Sequence, residues 1–146
     1  MQAARVNFFY QEVRFSFSNR NGLKEFLRRL FLKEGHKLNE LNIIFCTDEA
    51  LLEINRNFLQ HDYYTDIITF PLSSGSSPIQ AELYVSIDRV KDNAKQAAVS
   101  FKEELHRVIF HGCLHLAGYA DKSSQQIKKM REREDHYLRL YAKQVK

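Results

Sequence analysis

The sequence predicts an α+β fold, a small mixed four-stranded sheet packed on helices, with one buried helix that carries a metal-binding pattern. Three observations predict it. Apolar residues recur at period two in some stretches and at helical spacing in others, in the order β-α-β-α-β-β-α-α-α, without regular β-α-β alternation. A helix over about Phe101–Ala117 is apolar on two opposite sides, the signature of a buried helix. On that helix stand His111 and His115, followed at three-residue steps by Gly118 and Asp121.

Taken in order, Val13, Phe15 and Phe17 alternate with Arg14 and Ser16, as a half-buried strand would. Asn19–Gly22 reads as a turn. Leu23, Phe26, Leu27, Leu30 and Phe31 form a helical stripe, and Gly35 ends that helix. Leu41–Cys46 is a short, partly β-branched run, hence a strand. Thr47-Asp48-Glu49 starts a helix, with small and acidic residues at its positive end. Leu51, Ile54 or Asn55, and Phe58 continue it. Residues 60–65 make a polar and aromatic loop, and Asp66–Phe70 a strand that stops at Pro71. Ser73–Pro78 is a surface connection. Leu83, Val85 and Ile87 alternate as a fourth strand, and Asp88 caps a helix to about Ala98. Ser100-x-x-Glu103 is a capping box for the histidine helix. Ser123-x-x-Gln126 opens the last helix, with Ile127, Met130, Leu138 and Tyr141 turned inward.

Composition narrows the class. A chain of 146 residues, 44% apolar, is expected to form one domain over 1–146. No run of about 18 apolar residues occurs, so no membrane partner is expected. Met1–Asn7 does not read as a signal peptide, and Cys46 and Cys113 cannot make a disulfide framework, which together point to the cytoplasm. A net charge of +4 suits a polyanionic partner without requiring one.

The chemistry concentrates in His111-Gly112-Cys113-Leu114-His115-Leu116-Ala117-Gly118-Tyr119-Ala120-Asp121. Residues four apart on a helix share a face, with Cβ atoms roughly 5–6 Å apart, so two imidazoles can reach one ion. Gly118 allows the chain to double back and bring Asp121 to the same ion. Two nitrogens and one carboxylate, with a fourth position open to water, make a catalytic rather than a structural zinc site. Zinc, one ion per chain, is the expected cofactor, with other divalent metals such as nickel or manganese compatible.

These residues resemble a family. His-Gly-x-Leu-His-Leu-x-Gly-Tyr looks like the signature of the YbeY endoribonucleases, bacterial rRNA maturation factors. Upstream, Leu52-Glu53-Ile54-Asn55 and His61–Pro71 are similar to that family's Leu-Asn and Thr-(Asp/Asn)-Val-Leu-Ser-Phe-Pro blocks. The likeness covers roughly residues 40–140. It implies a fold whose metal helix is similar to the zincins. It also implies a zinc-dependent, single-strand-specific endoribonuclease, a monomer acting in 16S rRNA 3′ end maturation and ribosome quality control. Its partner would be ribosomal RNA of the small subunit, and not DNA.

The sequence departs from the family at three places. The signature usually continues Asp-His, with histidine as third ligand, where this chain reads Ala120-Asp121. Either Asp121 replaces that histidine, or it is the family's Asp displaced by one and the third ligand is lost. Spacing from Gly118 favours the first. Glu82 stands where the family has Asp, and Leu59 where it often has an arginine thought to face RNA. Arg56, Lys102, Arg107, Lys122, Lys128 and Lys129 are the remaining candidates for phosphate contact.

Other residues sharpen the class. Zinc proteases with this spacing use a Glu directly after the first His as general base, and position 112 is Gly, which disfavours peptidase chemistry. The glycine would also leave room for a bulky substrate near the ion. A metal-bound water is the expected nucleophile, and no protein general base is assigned. Cys113 lies two residues from each histidine and points elsewhere, so it and Cys46 read as buried hydrophobes. His36, His61, His106 and His136 lack ligand spacing, and Thr65 and Asp66 would shape the cleft. Two other functions share this pattern: a ribosome-assembly factor with a mainly structural metal, and a metal-dependent hydrolase of another substrate.

Overall fold

The computed structural model describes residues 4–59, 65–75 and 77–144. The loop residues 60–64, with His61, lie outside the described residues, as do Ser76 and the extreme termini. The elements run β1 (Arg5–Tyr10), α1 (Arg20–Lys33), β2 (Leu38–Cys46), α2 (Asp48–Phe58), β3 (Ile67–Pro71), β4 (Ile79–Ser86), α3 (Ile87–Ala97), α4 (Phe101–Leu116) and α5 (Ser124–Gln144). The four strands form one sheet in the order β1-β2-β4-β3. β1, β2 and β4 are parallel, and β3 pairs antiparallel with β4 from Ile67 opposite Val85 to Pro71 opposite Ala81. The fold is therefore α+β with a mixed sheet.

One sheet face presents Val6, Leu41, Ile43, Phe45, Ala81, Leu83 and Val85, and these pack with the apolar stripes of α1 and α4 into the main core. The other face is partly polar, with Asn7 donating to Asn42 (2.9 Å), and is covered near one end by α2. α4 is the central helix. Leu105, Ile109, Phe110 and Leu114 are all fully buried, and burial of such side chains contributes roughly 1.5–3 kcal/mol each. A helix held this firmly is a rigid base for ligands.

Helix starts follow local chemistry. Thr47 Oγ1 accepts from Ala50 N (3.1 Å), Ser100 Oγ from Glu103 N (3.0 Å) and Ser123 Oγ from Gln126 N (3.1 Å). Gln126 Oε1 returns the bond by accepting from Ser123 N (3.0 Å), completing the capping box of α5.

Several expectations are corrected. The first strand is Arg5–Tyr10, not 13–17. Phe15 and Phe17 instead pack edge-to-face against Phe45, and Phe17 against Phe8 as well, without joining the ladder. Arg20–Gly22, expected in a turn, already belongs to α1. Ile87 belongs to α3, whose cap is Ser86, accepting from Arg89 N (3.1 Å). Asp88 accepts instead from Asp48 N (2.9 Å). Ile127, expected inward, faces solvent at 53% exposure, and Tyr137 and Glu134 occupy the inward face of α5.

Candidate metal centre

α4 places His111 and His115 one turn apart, their ring centroids 4.8 Å from each other and their planes nearly perpendicular. Gly118, at φ 110°, ends the helix in a Schellman turn: Tyr119 N donates to Leu114 O (3.0 Å) and Gly118 N to His115 O (3.0 Å). The chain reverses there and returns Asp121 to the histidines. Asp121 Oδ2 lies 3.3 Å from His111 Nε2 and 3.2 Å from His115 Nε2. Asp121 thus lies within reach of both imidazoles, as a stand-in for the third histidine would have to.

These three residues offer one atom each, all within 4.8 Å of one another, and among the described residues no other His/Cys/Asp/Glu group of this kind occurs. Zinc bonds of about 2.0–2.1 Å at tetrahedral angles separate ligand atoms by about 3.3–3.4 Å. The observed 3.2 and 3.3 Å match that spacing. A second observation fits as well. The far nitrogen of His111, Nδ1, donates to Glu134 Oε2 at 2.6 Å, which fixes the ring's tautomer and points the lone pair of Nε2 toward Asp121. The residues present therefore suit a divalent cation.

Glu134 was not legible as part of the site, because it sits 23 residues away on α5. It is itself held: Arg107 donates to Glu134 Oε1 (2.9 Å) and to Asp135 Oδ1 (2.6 Å). Arg107 thus braces Glu134: its side chain is only 14% exposed and both ends of its fork are engaged, so a phosphate contact from it would have to compete with these pairs. Lys122, Lys128 and Lys129 are exposed at and near the start of α5, and Lys102 donates to Ser18 (3.1 Å).

Electrostatics follow from the same contacts. Burial alone would lower the pKa of His111, but the hydrogen bond and charge of Glu134, with Asp66 and Asp121, raise it above the ordinary value. Asp66 is raised, chiefly by burial, against the attraction of His111. Its carboxylate accepts from Asn93 (3.2 Å).

Two cavities meet at the site. One of about 600 Å³ is lined by Asn55, Leu59, Thr65, Thr69 and His115. The other, about 400 Å³, is lined by Glu104, Arg107, Met130 and Arg131. His111, Asp66 and Asp121 border both, so Thr65 and Asp66 do shape the cleft, and β3 forms its wall beside α4.

Gly112 is corrected in its reason. A Cβ there would sit 2.6 Å from Ile67 Cδ1 and 3.1 Å from the Leu83 methyls, so the glycine serves close packing of α4 on the sheet and not space for substrate. The protease glutamate has no place at this position. Cys113 and Cys46 are fully buried, and burial pushes the Cys46 thiol up to about 12, as expected of inert core cysteines. His36 bonds Ala117 O (2.9 Å) and His106 lies in the core, so neither is a ligand. Glu82 accepts from Tyr84 Oη (3.2 Å).

Comparison with known proteins places this geometry in a group. A family model described as endoribonuclease YbeY matches residues 7–142. An endoribonuclease YbeY of Cytophaga hutchinsonii is 45% identical over 140 residues, covering 96% of this chain and 98% of its own length. One of Flavobacterium johnsoniae is 43% identical over 136 residues, covering 93% and 96%. The solution structure of a Thermotoga maritima protein superposes with a TM-score of 0.64 at 27% identity, covering 96% of this chain and 91% of that one.

Proposed function

The chain belongs to the endoribonuclease YbeY family, and on that premise we propose that it is a zinc-dependent, single-strand-specific endoribonuclease of ribosomal RNA. The observation that carries this reading is the His111–His115–Asp121 cluster at the floor of an open cleft. A structural zinc is closed by four protein ligands. Three are grouped among the described residues, and the cleft leaves the next position to water or substrate, which favours catalysis over an assembly factor with a structural metal.

His111, His115 and Asp121 would hold a divalent ion, which when bound would supply Lewis acidity toward a phosphoryl oxygen and lower the pKa of water for attack at neutral pH. The chain's own residues do the rest. Glu134 holds the proton of His111 at Nδ1, keeping Nε2 free to ligate. Arg107 orients Glu134 by donating to Oε1, leaving Oε2 to face His111. β3 and α4 form the two walls between which a single strand would lie. Leu59 puts an apolar side chain on the cleft rim, so phosphates would be met by exposed cations such as Lys122 and Arg131. No helix of the described residues is long and apolar enough to cross a membrane. The proposed setting is the cytoplasm, with a monomer acting in 16S rRNA 3′ end maturation on the small subunit and without DNA as substrate.

The test is cleavage of single-stranded RNA by purified protein with and without divalent metal. The expected result is metal-dependent cleavage abolished by His111→Ala, and no cleavage of casein. RNA cleavage untouched by that substitution, or casein cleavage lost with it, overturns the reading.

A further inference from the structure

Asp121 reaches the histidines from a loop that is itself weakly held. Among the described residues, no backbone hydrogen bond secures residues 120 or 121. The loop is anchored on one side by the α5 capping box, where Lys122 N donates to Gln126 Oε1 (3.0 Å). On the other side the anchor is Tyr119, two residues before Asp121.

Tyr119 belongs to an unusual pairing of two helix ends. α1 ends, like α4, in a Schellman turn: Gly35 N donates to Leu32 O (3.0 Å) and His36 N to Phe31 O (2.9 Å). The turns 34–36 and 117–119 grip each other reciprocally. Tyr119 Oη donates to Glu34 Oε1 (2.8 Å), and His36 Nε2 bonds Ala117 O (2.9 Å). The residue just past each glycine therefore bonds the cap residue of the opposite helix. α5 completes the joint from behind, with Arg133 donating to Glu34 Oε2 (2.8 Å) and Tyr137 Oη to the same oxygen.

Glu34 is thus a carboxylate with a side chain only 9% exposed and three donors drawn from 85 to 103 residues away. Burial would raise its pKa, but the hydrogen bonds of Tyr137, Arg133 and Tyr119 outweigh it and hold the group ionised. Ending α1 does not require this, because a Schellman turn satisfies its carbonyls with backbone alone. What the arrangement adds is a fixed position for Tyr119. α5 then braces both sides of the site through adjacent residues: Glu134 holds His111, and Arg133 holds the Glu34 joint.

We propose that Glu34 is a positioning residue for the metal site, holding through Tyr119 the loop that delivers Asp121 to His111 and His115. The proposal rests on Asp121 being a metal ligand. Changing a group bonded directly to a metal ligand typically costs roughly 10–100-fold in metal affinity, and the joint, one step further from the ion, is expected toward the low end of that range.

The experiment measures zinc affinity by chelator competition, the visible spectrum of the cobalt-substituted protein, and urea stability. It uses the parent, Tyr119→Phe, Glu34→Gln, Asp121→Ala and the double variant Tyr119→Phe/Asp121→Ala. Tyr119→Phe removes one hydroxyl and is the variant most certain to fold. Expected are a roughly tenfold or greater loss of zinc affinity with an altered cobalt spectrum in folded Tyr119→Phe, a similar loss in Glu34→Gln, and no further loss when Tyr119→Phe is added to Asp121→Ala. A Tyr119→Phe protein that is less stable but binds zinc like the parent overturns the positioning role while leaving the ligand assignment intact. An equal loss in both backgrounds overturns it too, since the effect then does not pass through Asp121. An Asp121→Ala protein that binds zinc like the parent refutes the ligand assignment, and the proposal with it.

Discussion

Replacing Glu134 by glutamine tests whether His111 is presented to a metal in one fixed tautomer. Glu134 divides its carboxylate, Oε1 accepting from Arg107 at 2.9 Å and Oε2 from His111 Nδ1 at 2.6 Å. Glutamine has nearly the same shape, but one end of its amide donates. Arg107 can only donate, so the amide oxygen must face it and the NH2 must face His111. Nδ1 then becomes an acceptor, and the ring proton moves to Nε2, the atom 3.3 Å from Asp121. A protonated Nε2 has no lone pair for a metal. Turning the amide round would set two donors against each other beside a guanidinium that is mostly buried. The expected loss of zinc affinity is roughly 10–100-fold, about 1.4–2.8 kcal/mol. Stability should fall less than in Glu134→Ala. That change leaves Arg107 with Asp135 alone and costs toward the low end of the roughly 3–5 kcal/mol typical of breaking a buried pair. Chelator competition gives the affinity. Nitrogen NMR of the metal-free protein, at a pH where the ring is neutral, gives the tautomer. Unchanged zinc affinity with the proton still on Nδ1 would refute the reasoning.

Three further outcomes follow from the same structure. His106, 4% exposed between Phe110 and Tyr141, has its pKa lowered to about 4 by burial and by nearby Lys102. Its folded pKa lies below its unfolded value of about 6.5, so its stability contribution is complete above pH 6.5 and is lost as pH falls toward 4, about 3 kcal/mol in all. Urea titrations at pH 7 and 4.5 should show this loss in the parent and much less of it in His106→Leu. At Gly112, alanine meets only the tips of Ile67 and Leu83 and should cost about 1–2 kcal/mol, after helix propensity offsets part of the overpacking. Glutamate would force an unpaired carboxylate into the core and should abolish folding, as circular dichroism and urea unfolding would report. Leu59→Arg adds a cation at the cleft rim. RNA affinity should rise, and its logarithmic salt slope should steepen by about 0.7 for a single strand, whereas an unchanged slope would mean the side chain does not meet phosphate.

Much of this architecture was legible because it is local. Capping residues such as Thr47, Ser100 and Ser123 announce helix starts within three residues, and Leu23 to Phe31 declare α1 by spacing alone. The candidate metal-binding cluster was legible for the same reason, since His111, His115 and Asp121 span a single turn and a reversal. The first strand was misplaced because Val13, Phe15 and Phe17 alternate cleanly yet pack on the core outside the sheet, the two phenylalanines through ring contacts. The true β1 is an edge strand whose Phe9 and Tyr10 are left exposed, so its pattern is blurred. The supports of the site were invisible in sequence. Glu134, Arg107 and Glu34 look like ordinary charges on solvated helices, and only the fold sets Glu134 against His111 or Glu34 against Tyr119.

The most direct measurement of the account is anomalous scattering from crystals of protein purified without chelator, with data collected on both sides of the zinc edge. The account predicts one peak per chain, within about 2.0–2.2 Å of His111 Nε2, His115 Nε2 and an Asp121 carboxylate oxygen, with the remaining position held by water. Absence of a peak there, or an ion closed off by four protein ligands, would contradict it.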